Sequence, residues 1–531
     1  MNQLVIEPLL VPLVTAILTL VFRRYSTVQR GISLLGSAAY VVVVALLWTD
    51  VDPLGAARTI PYQLGNWPAP FGITLVADPL SVFMLGLAAV VSFAAMVFSV
   101  QYVDEFGQQL SYHPLYHFML VGVSGAFLTG DIFNLFVWFE VMLMSSYILV
   151  VFYSGPQHTR AALQYVVLNL IGSAVMLLAI GGIYSTTGTL NMADLAQRLA
   201  NPAANSITPL PVLGLSALLF TVFALKSGLA PFQFWVPPAY SAAPAPVSAM
   251  LAGVVKKVGI YAIIRLYFTV FSAMSIPAGL SLPGLSGTSL LDFFGPVMFL
   301  MASASILLGG LGAVGRDDID GLLSYSSIGQ VGFIVLPLAI GATAGSEEIR
   351  ILAVTAALIY ALNHALAKGL LFLASGSVFS SVGSTRFADL GGLTRKEPVL
   401  SAVFFVGALS LIGIPPLSGF FGKFLVFRTA GDAGAAGEPG AYVALGIALF
   451  GAILTIAYFS RAWNRGFWGE VNPMVENGSA PTGVLVLVGL AALVLLVGIG
   501  FDPVYRAAEA AAGAALHRQE YVQAVLGGGA A

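Results

Sequence analysis

Glu140, Lys226, Lys257, His364, Lys368 and Lys423 each stand inside an apolar run long enough to cross a bilayer. A charged side chain at mid-bilayer costs about 2.5–3.5 kcal/mol, so such residues turn toward a bundle interior or a hydrated cavity and mark ion routes. Lysine, unlike arginine, gives up its proton readily when desolvated. His364 and Lys368 are four residues apart and share one helix face, where an imidazole with an ordinary pKa near 6.5 can relay protons through water. Glu140, in FNLFVWFEVMLMSSY, is too short to reach the interface. The competing readings are structural: a protonated Glu140 bonded to a neighbouring helix, a Lys226 that snorkels, a His364 held by a backbone carbonyl. Lys256 and Lys257 are about 100° apart on a helix, so both are not expected to line one narrow path. Arg265, near a helix end, is expected to anchor at the interface.

The elements that must position these groups follow from composition. Of 531 residues, 58% are hydrophobic and only 9% charged, with a net charge of -2 and a mean hydropathy of +0.93. An ordinary soluble domain is about 25% charged. This balance excludes a water-soluble enzyme, a disordered regulator and a nucleic-acid binder. Cysteine is absent, which removes disulfides, thiolate zinc sites, iron–sulfur clusters and thiol nucleophiles. The N-terminus lacks a positive n-region and a cleavage site and reads as a retained span.

At about 20 residues per crossing, the apolar stretches are 2–22, 31–49, 79–100, 113–129, 132–153, 162–185, 210–231, 246–272, 294–314, 321–341, 349–380, 400–427, 442–463 and 482–501. The expected fold is an all-α polytopic membrane protein of about 14 transmembrane helices. Barrel strands are excluded because they alternate every second residue. With the N-terminus outside, ten loop Lys and Arg fall on the cytoplasmic side and six opposite. That bias places both termini outside.

Two of these helices carry their own breakers. Lys226 precedes Gly228 and Pro231; Lys423 follows Pro415, Pro416 and Gly419. Freed carbonyls at membrane depth need water or ions, and interrupted helices are a transporter signature. At an offset of 185, Ser216, Ala217, Phe220, Gly228 and Pro231 match Ser401, Ala402, Phe405, Gly413 and Pro416. Five helices, an odd number, lead from the seventh span to the twelfth, so the copies run in opposite directions. The expected organisation is residues 1–112 as helices 1–3, then inverted five-helix repeats at 113–272 and 294–465. Helix 14 and a short tail follow at 480–531.

Other motifs carry less. Gly310, Gly312 and Gly315 satisfy GxGxxG but end a membrane helix and follow no strand, so helix packing is expected, not a dinucleotide. His113 and His117, at i and i+4, lack a metalloprotease glutamate and are expected at an interface. No Walker A loop is present.

The runs LTGDIFNLFVWFEVMLMSSY, KSGLAPFQFWVPPAYSAAPAPVSA, DDIDGLLSYSSIGQVGF, NHALAKGLLFLASGSV and IGIPPLSGFFGKF resemble the antiporter-like subunits shared by Mrp-type multisubunit Na+/H+ antiporters, respiratory complex I and membrane-bound hydrogenases. GAFLTGDIFNLFVWFEVM, GTLNMADLA and YVQAVLG look most like the D-type subunits of the Mrp branch. The resemblance implies proton-transfer roles for Glu140, Lys226, Lys257, His364, Lys368 and Lys423. It favours Lys257, in a K-V-G-x-Y context, over Lys256. It implies a mid-membrane axis lined by water, with Asn169, Ser173, Ser324, Ser326, Ser327 and Gln330 as lining groups. Two charges about 7 Å apart at an effective dielectric near 20 interact by about 2.4 kcal/mol, enough to decide whether a buried lysine keeps its proton. The implied function is exchange of H+ for Na+ or K+ in a bacterial cell membrane, beside A-, B-, C-, E-, F- and G-type subunits. No cofactor, metal or nucleic acid is expected. The proton-pumping arm of a redox complex is the alternative; a passive scaffold leaves the buried charges unexplained. One deep carboxylate builds no cage of acidic oxygens, so a Na+ route is expected to involve a partner.

Overall fold

The computed structural model describes residues 3–276 and 289–527. Asn2, the expected start of the first span, and residues 528–531 of the expected tail lie outside the described residues. Helix dominates because backbone N–H and C=O groups in hydrocarbon must be paired within their own segment. In order the helices are α1 (Glu7–Val21), α2 (Ser26–Val51), α3 (Pro79–Tyr102), α4 (Glu105–Gln109), α5 (Tyr112–Leu128), α6 (Ile132–Val150), α7 (Pro156–Thr187), α8 (Met192–Ala200) and α9 (Pro209–Ser227). There follow α10 (Val236–Ala242), α11 (Ala245–Met250), α12 (Lys256–Ile263), α13 (Leu290–Val314), α14 (Ile319–Thr343) and α15 (Glu347–Val382). After two single turns, α16 (Phe387–Leu390) and α17 (Leu393–Lys396), come α18 (Pro398–Ile412), α19 (Ser418–Ala435) and α20 (Ala441–Ala462). The chain closes with α21 (Pro473–Glu476), α22 (Val484–Ile499), α23 (Phe501–Leu516) and α24 (Arg518–Gly527).

Each of the fourteen expected stretches falls on helix. Among the described residues ten helices are long and apolar enough to cross a membrane, and eleven if the bent pair α22–α23 counts as one span. The difference arises where helices are short: α1 and α18 have 15 residues each and α5 has 17. The chain after the last span is not a loose tail. α23 turns 79° from α22, buries Ala508, Ala511, Ala512 and Ala515, and accepts a hydrogen bond from Thr269 Oγ1 at the Ala515 carbonyl, 2.8 Å. A hairpin not foreseen from sequence, β1 (Ile60–Gln63) against β2 (Thr74–Ala77), runs antiparallel with Ile60 opposite Ala77.

α11 and α12 are joined by the π-helical turn Leu251–Val255 and continued by another, Ile264–Val270. The whole stretch Ala245–Ala273 is enclosed by protein, as are most of α14 and α15. α2, α7, α13 and α20 form the periphery, much of their surface exposed. α13 and α14 approach closely because a Cβ on Gly309 would meet the Gly329 backbone and one on Gly312 the Tyr325 ring; the GxGxxG run is packing surface. Asp78, Asp131 and Asp318 cap α3, α6 and α14 by accepting from the N–H of Ser81 (2.8 Å), Asn134 (2.7 Å) and Gly321 (2.6 Å). These caps start three of the helices that surround the buried charges.

Candidate functional site

Both foreseen breaks are present and built alike. α9 ends at Gly228, left-handed at φ +68°, and α18 at Gly413, φ +95°. In each, the glycine N–H bonds the carbonyl three residues back (Leu225, Ser410), and the next N–H reaches the one five back (Ala224, Leu409). This closure suits glycine, which carries no Cβ into the left-handed region. The Ala230–Pro231 and Pro415–Pro416 bonds are cis. Pro231, Pro415 and Pro416 lie on the exposed side of their breaks.

At the first break, Lys226 is 3% exposed on the last turn of α9. Its Nζ donates to Ser173 Oγ at 3.0 Å and to the Asn169 carbonyl at 3.2 Å, both on α7. Ser173 in turn donates a short hydrogen bond to Glu140 Oε1 on α6. Glu140 and Lys226 therefore communicate through a hydroxyl and make no direct ion pair. Asn169, foreseen as a lining side chain, serves Lys226 through its backbone; its Oδ1 has no partner among the described residues.

The central group combines α12, α14 and α15. Lys257 Nζ lies 2.5 Å from His364 Nδ1, and His364 Nε2 lies 3.4 Å from Ser327 Oγ. Lys368, one turn along α15, donates to the Leu323 carbonyl at 2.8 Å. Lys256 also points inward. Its Nζ donates to the Ser327 carbonyl at 3.2 Å and lies 5.8 Å from the centre of the Tyr240 ring. A Cβ on Gly228 would stand 3.2 Å from Lys256 Cε. Both adjacent lysines are fully buried, because this helix is surrounded by protein on every side.

Toward the second break, Tyr360 donates a short hydrogen bond to Gln330 Oε1. Gln330 Nε2 donates to the Tyr458 hydroxyl at 3.1 Å, which is 2.7 Å from Ser326 Oγ. Ser324 is spent on its own helix, donating to the Asp320 carbonyl at 2.7 Å. Lys423, 4% exposed, has no hydrogen-bond partner for Nζ among the described residues. Its charge sits 5.3 Å from the centre of the Phe333 ring, which stacks on Tyr360 at 5.4 Å. Tyr240, Tyr360, Tyr458 and Asn363 were missed from sequence, because a buried tyrosine or asparagine beside apolar residues looks like ordinary core. Their signal, helical spacing from a lysine or histidine, is real only for Tyr360, four residues before His364.

Two further expectations change. Arg265 is no interface anchor: it is 1% exposed, and Nη2 donates to Asp78 Oδ1 and Oδ2 at 2.7 and 2.6 Å. The Tyr521 ring of α24 lies 4.9 Å from the guanidinium. Asp78 was passed over because it precedes its helix. His113 and His117 are fully buried inside the bundle, not at an interface. Among the described residues no group of three metal-ligating side chains occurs.

This arrangement can hold and pass protons: buried amines and an imidazole, with a half-buried carboxylate at one end, joined by hydroxyls and carbonyls. Residues 129–437 match the family described as NADH:quinone oxidoreductase/Mrp antiporter, transmembrane. The chain is 37% identical over 529 residues to a protein of Alkalihalophilus pseudofirmus named as the D subunit of a Na+/H+ antiporter, covering 99% of this chain and all of the other. It is similar to a chain of the Mrp complex from a Dietzia species, at 28% identity and a TM-score of 0.83, covering 99% of this chain and 100% of that one. It is also similar to a chain of a membrane-bound sulfane sulfur reductase, an archaeal respiratory membrane complex, at 26% identity and a TM-score of 0.86 with the same coverage.

Proposed function

The chain belongs to the NADH:quinone oxidoreductase/Mrp antiporter family, and from that premise we propose that it is the proton-carrying D-type subunit of a multisubunit cation/proton antiporter. The observation that carries the reading is a line of ionisable groups, half-buried at Glu140 and buried beyond it. It runs from Glu140 through Ser173 to Lys226, past Gly228 to Lys256, Ser327, His364, Lys257 and Lys368, and by Tyr360 and Gln330 toward Lys423.

In this reading a proton arriving at or leaving Glu140 changes the field at Lys226. Their bonds to one Ser173 hydroxyl hold the two close enough for about 3 kcal/mol of interaction at an effective dielectric near 20. Each lysine passes the change to the next, with water between them. Fourteen crossings, two inverted five-helix repeats and extracytoplasmic termini complete the proposal. The identical closure of the two breaks at a constant offset of 185 supports the repeats. The membrane is a bacterial cell membrane, the partners are the other Mrp subunit types, the exchanged cation is Na+ or K+, and the chain catalyses no covalent chemistry.

The test is Na+-driven proton movement in vesicles carrying the assembled complex. Glu140→Ala and Lys226→Ala are each expected to abolish it while the complex still co-purifies. Normal antiport in either variant removes that pair from the mechanism. A second reading, the pumping arm of a redox complex, draws on the likeness to the archaeal respiratory chain. Co-purification with small hydrophobic antiporter subunits favours the first reading, and co-purification with cluster-bearing ones the second.

A further inference from the structure

A cleft opens from the surface to the middle of this line. It holds about 130 Å³, room for several waters, between the C-terminal end of α3, the start of α7, the α10–α11 connection, the start of α14 and the end of α15. Its walls carry Tyr102, Tyr153, His158, Asp320, Ser375 and Tyr240. Tyr153 is exposed at the rim and Tyr240 is 1% exposed at the depth. Asp320 is held by Ser375 Oγ at 2.6 Å and Thr385 Oγ1 at 3.2 Å. His158 Nδ1 is fixed against the Ala242 carbonyl at 2.9 Å.

The cleft ends against the middle of the line. The centre of the Tyr240 ring lies 5.8 Å from Lys256 Nζ, and its hydroxyl is buried with no hydrogen-bond partner among the described residues. Ser327 accepts from Lys256 through its carbonyl and neighbours His364 through its hydroxyl. The helix ends around the cleft belong with Arg160, Arg316 and Arg386, on the more basic side of the protein.

We propose that this cleft is the mouth through which protons enter the line, with Asp320 the carboxylate that collects them and Lys256 the group that receives them. The inference rests on the proton-carrying reading above. Asp320 takes a proton from the bulk solution and releases it through cleft water, past the Tyr240 hydroxyl, to the Lys256 amine. The amine becomes an ammonium, and Asp320 returns to carboxylate. Lys256 is suited to the task by position: it touches the first break on one side and the His364–Lys257 pair, through Ser327, on the other.

Two arms test this in vesicles holding the assembled complex. In the first, Asp320→Asn and Lys256→Met are each expected to slow Na+-driven proton movement at least tenfold, with assembly confirmed by co-purification. In the second, the absence of native cysteine makes Ser241→Cys, at the exposed rim, a unique handle on this chain. A bulky membrane-impermeant maleimide applied from the basic side is expected to block transport at least tenfold relative to the unlabelled variant. The complex carrying the unsubstituted chain, treated alike, is the reference. Full transport after complete labelling, or a thiol at position 241 that the reagent cannot reach, overturns the mouth. Full transport in Asp320→Asn and Lys256→Met while Glu140→Ala is dead overturns the mouth and leaves the proton-carrying reading intact. Full transport in Glu140→Ala as well overturns both.

Discussion

At Gly228 and at Gly413 a helix ends with the same left-handed turn, and in both a lysine from a later segment lies against the glycine. A Cβ on Gly228 would stand 3.2 Å from Lys256 Cε, and one on Gly413 would stand 3.1 Å from Lys423 Cδ. What surrounds the two differs. The first break has its own lysine, Lys226, tied through Ser173 to a carboxylate. Its loose backbone groups are taken by Trp235 Nε1, which donates to the Leu225 carbonyl at 2.8 Å, and by Ser305 Oγ, which accepts from the Ala230 N–H at 2.9 Å. The second break is pinned by one side chain, Asn363, whose Oδ1 accepts from Ser410 at 2.8 Å and Ser418 at 2.9 Å across the gap. Its lysine has an aromatic face and, among the described residues, no hydrogen-bonding partner. Equivalent backbone thus supports two electrical environments: one end of the line is balanced by a carboxylate, while the other meets only a π-face among the described residues.

The sharpest way to break the comparison is to spoil the shared turn. Gly228→Ala and Gly413→Ala each force a Cβ into a left-handed site, costing about 1–2 kcal/mol, and press it on a lysine of the line. Both are expected to lower antiport more than tenfold with the complex still assembled; wild-type rates would show the lysines need no such contact. Asn363→Ala should act at the second break alone. Losing two buried hydrogen bonds there is expected to lower stability by about 1–3 kcal/mol, read as a lower unfolding temperature of the purified complex. Ser173→Ala removes the hydroxyl between Glu140 and Lys226, worth about 1.5–3 kcal/mol for a charge-assisted bond. Transport is expected to fall by about tenfold, and a water that replaces the hydroxyl perfectly would leave it unchanged. Phe333→Leu is the mildest change. It removes a cation–π contact worth about 0.5–2 kcal/mol and should slow transport a few-fold, with no further loss in a Lys423→Met background.

Much of this was legible because charge in an apolar run has few places to go. Glu140, Lys226, Lys257, His364, Lys368 and Lys423 all proved buried within protein or facing it, and the Gly-x-x-Pro pattern located both breaks. What escaped the sequence depends on neighbours far along the chain. Asp78 and Arg265 pair across 187 residues, and neither looks paired from its own surroundings. Lys257 was preferred to Lys256 on the resemblance, and helical phase, which spoke against both on one path, decides little for a helix enclosed on every side. Asp320, one residue before the expected span 321–341, was not singled out, because its partners Ser375 and Thr385 lie 55 and 65 residues away. The hairpin Ile60–Gln63 with Thr74–Ala77 is too short to register beside spans of twenty apolar residues.

The central claim is that the two breaks lie on one path for protons. Its most direct test is a double-mutant comparison of Na+-driven proton movement in vesicles, using Glu140→Ala at one end, Lys423→Met at the other, and both together. One path predicts that each single variant falls to background and the double variant is no worse. Two partly active single variants whose losses multiply in the double variant would mean separate routes, and would contradict the account.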